Sequence, residues 1–228
     1  MLFRSLLLLA SYLLCSGFTL SPMSQSINLA DKQKQAQFFV ENNSNEPMPI
    51  LINVYKRVQK IDGKEDMPET SDLQVFPPQL IVPSKQKRAI RVTWKGEATS
   101  KELAYRLVAE QLPLDVSKTK KKASGIKMLL KYVAALYVDP GDTKANLQVV
   151  SIKNDDKNLL VTIKNKGNHH APLINPTLTI KGKEDIKLTN DQLKGLAGEN
   201  ILGETTRLFN IPTHPKVISG SKGIISLD

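Results

Sequence analysis

Strand-length apolar segments, separated by clusters of turn-forming residues, occupy most of this chain. Val, Ile, Leu, Phe and Tyr are concentrated in short stretches at residues 35–40, 50–58, 80–82, 89–94 and 104–112. Clusters rich in Asn, Pro and Gly separate these stretches, at residues 42–47, 62–63, 77–78 and 95–96. Short β-prone segments at this spacing are typical of an all-β sandwich of immunoglobulin-like size.

The pattern restarts after the Asp-Pro-Gly-Asp sequence at residues 139–142, which is a strong chain breaker. Further strand-like segments follow at residues 147–152, 159–165, 173–180 and 223–227. Residues 193–200 are expected to form a loop or a helical turn. The sequence therefore predicts an N-terminal immunoglobulin-like domain at residues 18–140 and a smaller C-terminal β-sandwich domain at residues 141–228.

The first 17 residues have the layout of a secretory signal peptide. Arg4 supplies one positive charge, residues 5–14 form a short apolar run, and small residues follow it. The run is too short to span a bilayer, and no later segment is long and apolar enough, so we expect an exported protein without a membrane span. Acylation of Cys15 is disfavoured because Leu13 and Leu14 precede it. As Cys15 is the single cysteine, the mature chain is expected to have neither disulfides nor zinc-thiolate sites.

The charge balance is strongly basic. The formal net charge is +10, and removal of Arg4 with the signal peptide leaves about +9. Aromatic residues make up only 5% of the chain and the lysines are scattered, so no stacking platform for nucleic acid is indicated. The charge is better explained by solubility or by the attraction of an acidic partner.

The sequence contains no pattern of catalytic residues. Gly-x-Ser-x-Gly, phosphate-loop and Gly-x-Gly-x-x-Gly motifs are absent. Glu102 and Glu110 lie on one predicted strand at a separation of about 26 Å, too far apart for a glycosidase pair. His169 and His170 are neighbours in a hairpin-like stretch, and adjacent strand residues point to opposite faces, so they are expected to be a poor chelating pair. We therefore predict no enzymatic activity, no cofactor and no metal site.

Residues 125–138 form an unusually apolar strand pattern that follows the Lys-rich loop at 118–122. A period of two places Ile126, Met128, Leu130 and Tyr132 on one face. Such a face must be covered by this protein or by another one. Residue patterning alone leaves both alternatives open, either packing in the first domain's own core or contact with a partner.

Four consecutive segments resemble a known family in their order and spacing. They are residues 76–83, 88–94, 102–113 and the strand at 125–138, and residues 20–23, 40–47, 198–202 and 206–207 add to the similarity. Together they resemble the PapD-like periplasmic pilus chaperones of the chaperone-usher pathway. The resemblance covers nearly the whole mature chain and implies two immunoglobulin-like domains in an L-shaped, or boomerang, arrangement.

The resemblance also implies a mechanism. Such chaperones bind pilin or fimbrial subunits that lack their last strand, lend them a β-strand, and deliver them to an outer-membrane usher. Ile126, Met128 and Leu130 align with the family's groove-filling residues. The alternative, from a different class, is a structural or adhesive protein whose domains assemble with copies of themselves through the same strand.

The carboxylate anchor of the better-studied family members is not kept. Those members hold the terminal carboxylate of the subunit with an Arg on the first strand and a Lys on the last strand of domain one. Here the Lys position is Ala135, and residues 23–25 contain no Arg. Arg106 and Lys131 are the candidate replacements, because each is expected to border the interdomain cleft. The alternative for both is ordinary solvation at the surface.

A second family feature is a salt-bridge network that holds the two domains together. By position, Arg91 and Glu102 resemble its first-domain members. We expect such a pair to orient the domains more than to stabilise them, because ion pairs near a surface contribute little.

Overall fold

The computed structural model describes residues 17–113, 128–155, 157–182 and 184–227. The first sandwich contains β1 (Phe18–Ser21), β2 (Ser24–Asn28), β3 (Gln35–Asn42), β4 (Met48–Lys56), β5 (Val58–Gln59), β6 (Glu65–Asp66), β7 (Leu73–Phe76), β8 (Gln79–Val82), β9 (Lys87–Trp94), β10 (Leu103–Gln111) and β11 (Lys131–Asp139). The second contains β12 (Leu147–Asn154), β13 (Asn158–Asn165), β14 (Ala171–Pro172), β15 (Pro176–Ile180), β16 (Ile186–Leu188), a 3-10 turn (Asn190–Gln192), β17 (Asn200–Ile201), β18 (Thr206–Pro212) and β19 (Gly223–Leu227). The predicted all-β fold with two immunoglobulin-like sandwiches is confirmed.

Two sheets form the first sandwich, with strand orders β1-β3-β9-β7 and β2-β11-β10-β4-β8. The consecutive strands β1 and β2 lie in different sheets, and Pro22 stands between them. Proline has no N–H group to donate to a ladder, so it ends the pairing of β1 and marks the point where the chain crosses to the other sheet. This crossing places β2 beside β11.

Alternating side chains build the core of the first sandwich. In β3, Ala36, Phe38 and Val40 are buried, and more polar or more exposed residues lie between them. The period of two directs these three side chains between the sheets, where they meet the inward residues of the opposite sheet. Those partners include Met48, Ile50, Ile52, Tyr105, Leu107, Ala134, Leu136 and Val138.

The second sandwich has its own core between the sheets β12-β13-β18 and β16-β15-β19. The buried residues of β13 and β18 again follow a period of two: Leu159, Val161, Ile163, Phe209 and Ile211. Leu193 and Leu196, which follow the 3-10 turn, are also fully buried in this core. The segment predicted as a loop or helical turn therefore closes the sandwich.

The strand bounds differ from the prediction at several places. The segment predicted at 173–180 is a strand only from Pro176, in β15, whereas β14 precedes it, and the predicted strands do not include β7, β16 or β18. The apolar strand predicted at 125–138 begins only at Lys131 in β11. Within the described ranges, no helix is long and apolar enough to cross a membrane.

The hairpin formed by β5 and β6 joins the first sandwich to the second. Gln59 donates to the Asn200 carbonyl at 2.8 Å and accepts a hydrogen bond from the Leu202 amide at 3.1 Å. The Leu208 amide donates to the Ile61 carbonyl at 2.8 Å. These bonds fix the hairpin against the loops around β17 and β18, beside the interdomain cleft.

Candidate functional site

β11 is paired along its whole length on one side and along only half of it on the other. β10 pairs with residues from Lys131 to Val138, whereas β2 pairs in parallel with Ala135 to Asp139. Among the residues that the structure describes, no strand pairs with Lys131–Ala134 on the side away from β10. We name this stretch the open edge.

The direction of the backbone groups shows which hydrogen-bond donors and acceptors are free at the open edge. The Ala135 amide donates to the Met23 carbonyl at 2.9 Å, so the backbone N–H and C=O groups of odd-numbered residues of β11 point away from β10. The Leu130 carbonyl accepts from the Gln111 amide at 2.9 Å, so the backbone groups of even-numbered residues point toward β10. Because backbone groups alternate along a strand, the N–H and C=O of Lys131 and Val133 face the open edge. An unpaired row of this kind is a template for another strand.

Of the predicted donor residues, Leu130 lies on the face that continues the core. Ala134, Leu136 and Val138 are buried in the first core, and Leu130 packs against the same core while partly exposed. Met128 has the same parity but is 76% exposed. Ile126 lies outside the described residues. The structure thus assigns Leu130 a place in this protein's own core and leaves Met128 uncovered.

Other exposed apolar side chains lie next to Met128 in the sequence or along the open edge. Leu129 is 53% exposed, Val133 is 37% exposed, and Met23, whose carbonyl binds the Ala135 amide, is 48% exposed. Scattered exposed apolar residues are common on proteins, but here they coincide with unpaired backbone groups. The combination provides both the hydrogen bonds and the apolar contacts of a strand-pairing surface.

A cluster of one carboxylate and two guanidinium groups lies beside β10, and we name it the arginine cluster. Arg106 binds Glu65 through Nε at 2.8 Å and Nη2 at 2.7 Å. Arg57 binds the same carboxylate through Nε at 2.7 Å and Nη2 at 2.6 Å. The pair with Arg106 is bidentate, since it uses both oxygens of Glu65, whereas both Arg57 nitrogens contact Oε1. Bidentate pairs are among the strongest charge-assisted hydrogen bonds.

Burial of Glu65 would raise its pKa, but the hydrogen bond from Arg106 and the charges of both guanidinium groups outweigh it and lower the pKa. Arg57 also donates to the Tyr137 hydroxyl at 3.2 Å, and burial raises the pKa of that phenol. Glu65 is therefore held as an anion, and the arginine cluster is connected to β11 through Tyr137.

The structure does not bring the two candidate anchor residues together. Arg106 lies opposite Ala135, whereas Lys131 lies opposite Glu110. Four residues along a strand correspond to about 13 Å. Lys131 Nζ is 3.8 Å from Glu110 Oε2 and about half exposed, whereas the side chain of Arg106 is mostly buried.

The predicted pair of Arg91 and Glu102 is not formed. Arg91 lies on β9 of the other sheet, opposite Gln37 and Phe76, and its side chain points outward. Glu102 does lie at the domain junction, as the resemblance implied, and its side chain is 2% exposed. Its partners are histidines of the second sandwich.

His169 and His170 direct both rings toward Glu102. The Nδ1 atom of His170 lies 2.8 Å from each carboxylate oxygen, and Nδ1 of His169 lies 3.0 Å from Oε2. The expectation that the two rings point to opposite faces is wrong, because residues 166–170 form a bent loop between β13 and β14 and not a strand. We name these three residues the histidine cluster.

Long-range pairing explains which residues the sequence did not reveal. Arg57, Glu65 and Tyr137 are not prominent in the sequence, since an isolated ionisable residue in a strand is most often a solvated one. Glu65 is separated from Arg106 by 41 positions, and Glu102 from His170 by 68. No local spacing rule connects positions this far apart.

These features define the class as a two-sandwich immunoglobulin-like protein in which part of strand β11 is unpaired on one side. The family described as pili and flagellar-assembly chaperones, through its PapD N-terminal domain, matches residues 19–144. The match covers more than half of the chain, and the protein belongs to this family. It is a family of chaperones and not a class of enzymes.

Solved structures support the same fold. The CsuC–CsuE chaperone–tip adhesion subunit complex of archaic Csu pili from Acinetobacter baumannii matches with a TM-score of 0.66 and 18% identity, over 92% of this chain and 97% of that chain. CfaA, a class 5 fimbriae chaperone, matches with a TM-score of 0.61 and 20% identity, over 93% and 99% of the two chains. A chaperone–tip adhesin complex of CFA/I fimbriae biogenesis matches with a TM-score of 0.62 and 20% identity, over 92% of this chain and 94% of that chain. A comparison with curated proteins finds no match.

Proposed function

We propose that this protein is a periplasmic chaperone that stabilises pilin or fimbrial subunits by lending them the strand that includes the open edge. The observation that carries the proposal is the coincidence of unpaired backbone groups at Lys131 and Val133 with an uncovered apolar side chain at Met128. Chaperone function in pilus assembly follows from the family; the donated strand is our inference from this edge.

Strand addition at this edge uses two kinds of contact. The main-chain groups of the open edge pair with an edge strand of the subunit and provide affinity. Ile126 and Met128, which share the parity of the core-facing residues of β11, fill the groove that the subunit's missing strand leaves. Leu130, which already packs on the first core, joins the apolar interior of the chaperone to that of the subunit. Neither nucleotide nor covalent chemistry is needed.

A subunit carboxylate would dock at Arg106 or at Lys131. The guanidinium of Arg106 is oriented and desolvated, and two of its nitrogens already hold one carboxylate, that of Glu65. A terminal carboxylate of a subunit would bind there by displacing Glu65 from the Arg106 fork, with Arg57 keeping Glu65. Lys131 is the alternative, because its Nζ is paired only loosely with Glu110 and lies at the start of the open edge.

Residues 1–17 would direct export and be removed, and the loaded chaperone would then deliver its subunit to an outer-membrane usher. Phe18 is buried in the first core, so cleavage before it leaves a chain that begins at the sandwich itself. Mass measurement of the mature protein from a periplasmic fraction tests the cleavage, and retention of residues 1–17 would contradict it.

Subunit capture tests the donor face. The chaperone is co-expressed with a pilin that lacks its last strand, and the pilin that co-purifies with Met128→Glu is compared with that of wild type. Ile218→Glu is the matched control, because Ile218 is 73% exposed and lies in the second sandwich. We expect at least a tenfold loss for Met128→Glu and none for Ile218→Glu. Equal capture by the two variants would refute donation through this face.

The same preparations separate the chaperone from a self-assembling protein. A chaperone stays a monomer or small oligomer until it receives a subunit, whereas a structural or adhesive protein would form polymers alone, through the same edge. Polymers of the purified wild-type chain that Met128→Glu abolishes would favour the structural alternative.

Anchor variants are measured in the same assay. Arg106→Ala and Lys131→Ala are each compared with Arg88→Ala, a change at an exposed arginine of β9. We expect a loss of retained subunit for one of the two candidates and none for Arg88→Ala. If neither Arg106→Ala nor Lys131→Ala loses subunit, the anchor assignment fails while strand donation stands.

A further inference from the structure

We propose that the histidine cluster, with Asp139, is a binding site for Zn²⁺ that joins the two sandwiches. The first sandwich supplies Glu102, just before β10, and Asp139, at the end of β11. The second supplies His169 and His170, just before β14. The site is separate from the open edge, and the proposal does not depend on subunit binding.

Three of the ligand atoms lie close together, and Asp139 borders them. One ligand atom each from Glu102, His169 and His170 lies within 4.8 Å of the others. The two imidazole Nδ1 atoms lie 2.8 Å and 3.0 Å from Glu102 oxygens, and Nδ1 of His169 lies 3.7 Å from Asp139 Oδ2. In a tetrahedral zinc site with bonds near 2.0 Å, neighbouring ligand atoms are about 3.3 Å apart. The observed separations lie on both sides of that value, so small side-chain rotations would admit the ion.

The backbone holds the ligands in place. The Glu102 amide donates to the Asn168 carbonyl at 3.0 Å, and the His170 amide donates to Glu102 Oε1 at 3.0 Å. The ring of His170 stacks on Tyr137, with centroids 3.9 Å apart. The two loops are thereby fixed relative to each other, which lowers the cost of ordering the ligands.

The two carboxylates of the site favour the binding of a cation. Glu102 is almost completely buried and Asp139 is 24% exposed. In the described part of the chain, no lysine or arginine lies within ion-pair distance of either carboxylate, and only the histidines do. A buried carboxylate is costly unless it is paired with a cation. A divalent ion would neutralise both carboxylates.

The donor set selects the kind of ion. Two imidazole nitrogens and two carboxylate oxygens suit Zn²⁺ and neighbouring transition metals, whereas Mg²⁺ and Ca²⁺ prefer oxygen ligands alone. Thr143 lies in the surrounding shell, since its hydroxyl donates to Asp139 Oδ1 at 2.8 Å and contacts Nδ1 of His169 at 2.9 Å. Zinc binding would replace the contact with His169 and keep the one with Asp139, which orients the carboxylate.

Calorimetric titration of the chelator-treated mature chain, produced without a polyhistidine tag, tests the site. We expect one Zn²⁺ per chain, no comparable binding of Mg²⁺ or Ca²⁺, and a saturable rise in Tm, because the ion would link the two sandwiches. His169→Gln and His170→Gln should each weaken binding at least tenfold.

His214→Gln is the matched control, since His214 is the third and last histidine of the chain and lies outside the cluster. It should bind Zn²⁺ like wild type. His169 is 31% exposed, so His169→Gln is expected to fold even if Glu102→Gln does not. Absence of stoichiometric binding, or equal weakening by His214→Gln and His169→Gln, would overturn the proposal.

Discussion

Removal of the Tyr137 hydroxyl should weaken the junction between the two sandwiches. Tyr137 is buried in β11, and its hydroxyl accepts hydrogen bonds from Asn200 Nδ2 at 2.8 Å and from Arg57 Nη1 at 3.2 Å. Tyr137→Phe keeps the ring and its stacking on His170. The substitution therefore removes these two hydrogen bonds and little else.

The size of the effect follows from the two donors. A hydrogen bond between neutral groups contributes about 1 kcal/mol, and one from a charged donor about 1.5–3 kcal/mol. Arg57 keeps Glu65 as a partner, which places its share at the lower end. Asn200 Oδ1 is already buried without a partner, so loss of the Tyr137 contact leaves the Asn200 amide poorly satisfied. We expect a loss of about 2 to 3 kcal/mol in the free energy of unfolding, which corresponds to a Tm lower by roughly 4–12 °C.

Urea denaturation and thermal unfolding of the mature protein measure this loss. Tyr132→Phe is the control, because the Tyr132 ring packs on Phe18 and no hydrogen bond of its hydroxyl is found among the described residues. The control should stay within about 0.5 kcal/mol of wild type. A Tyr137→Phe protein as stable as the Tyr132→Phe protein would show that these bonds do not hold the junction.

Three further changes test other parts of the structure. Val133→Pro removes an N–H that faces the open edge, so it should abolish subunit capture and leave the protein folded. Ala134→Pro removes an N–H directed at β10, leaves the partner carbonyl unsatisfied and should cost about 1–3 kcal/mol. Equal effects of the two on stability would contradict the assigned edge. Glu65 has a pKa below its ordinary value of 4.5, so its stabilising contribution is complete above that value and is lost as the pH falls through the folded pKa. The difference in unfolding free energy between wild type and Glu65→Gln should therefore shrink between about pH 7 and pH 3. A constant difference would show that the arginine cluster does not depend on the anion. Gly63→Ala should lower Tm, because Gly63 has a φ of 89° and an added Cβ would meet the Arg207 guanidinium; an unchanged Tm would show that the hairpin is not held against the second sandwich.

Local periodicity predicts the all-β class and most of the long strands. The alternation in β3 and β13 identified strands with one buried face, because a period of two leaves few other structures for a segment bounded by turn residues. The same logic placed Met128 and Leu130 on one face. It did not predict that regular pairing begins only at Lys131, since the start of a strand depends on which neighbour pairs with it.

The contacts of the arginine cluster and the histidine cluster could not be predicted from local periodicity. Glu65 binds Arg106, and Glu102 binds His170, through contacts between segments that are distant in sequence and, for Glu102, in different sandwiches. Adjacent histidines point to opposite faces only where the chain is extended, and the loop between β13 and β14 is not. Its bend turns both rings toward one carboxylate, and this conformation depends on tertiary contacts with Glu102.

Amide hydrogen exchange of the chaperone, alone and saturated with a pilin subunit, tests the central claim most directly. Donation of the strand predicts new protection at the amides of Lys131 and Val133, which face the open edge, while the Ala134 amide, already directed at β10, changes little. Protection confined to other surfaces in a saturated complex, with Lys131 and Val133 exchanging as in the free protein, would contradict strand donation.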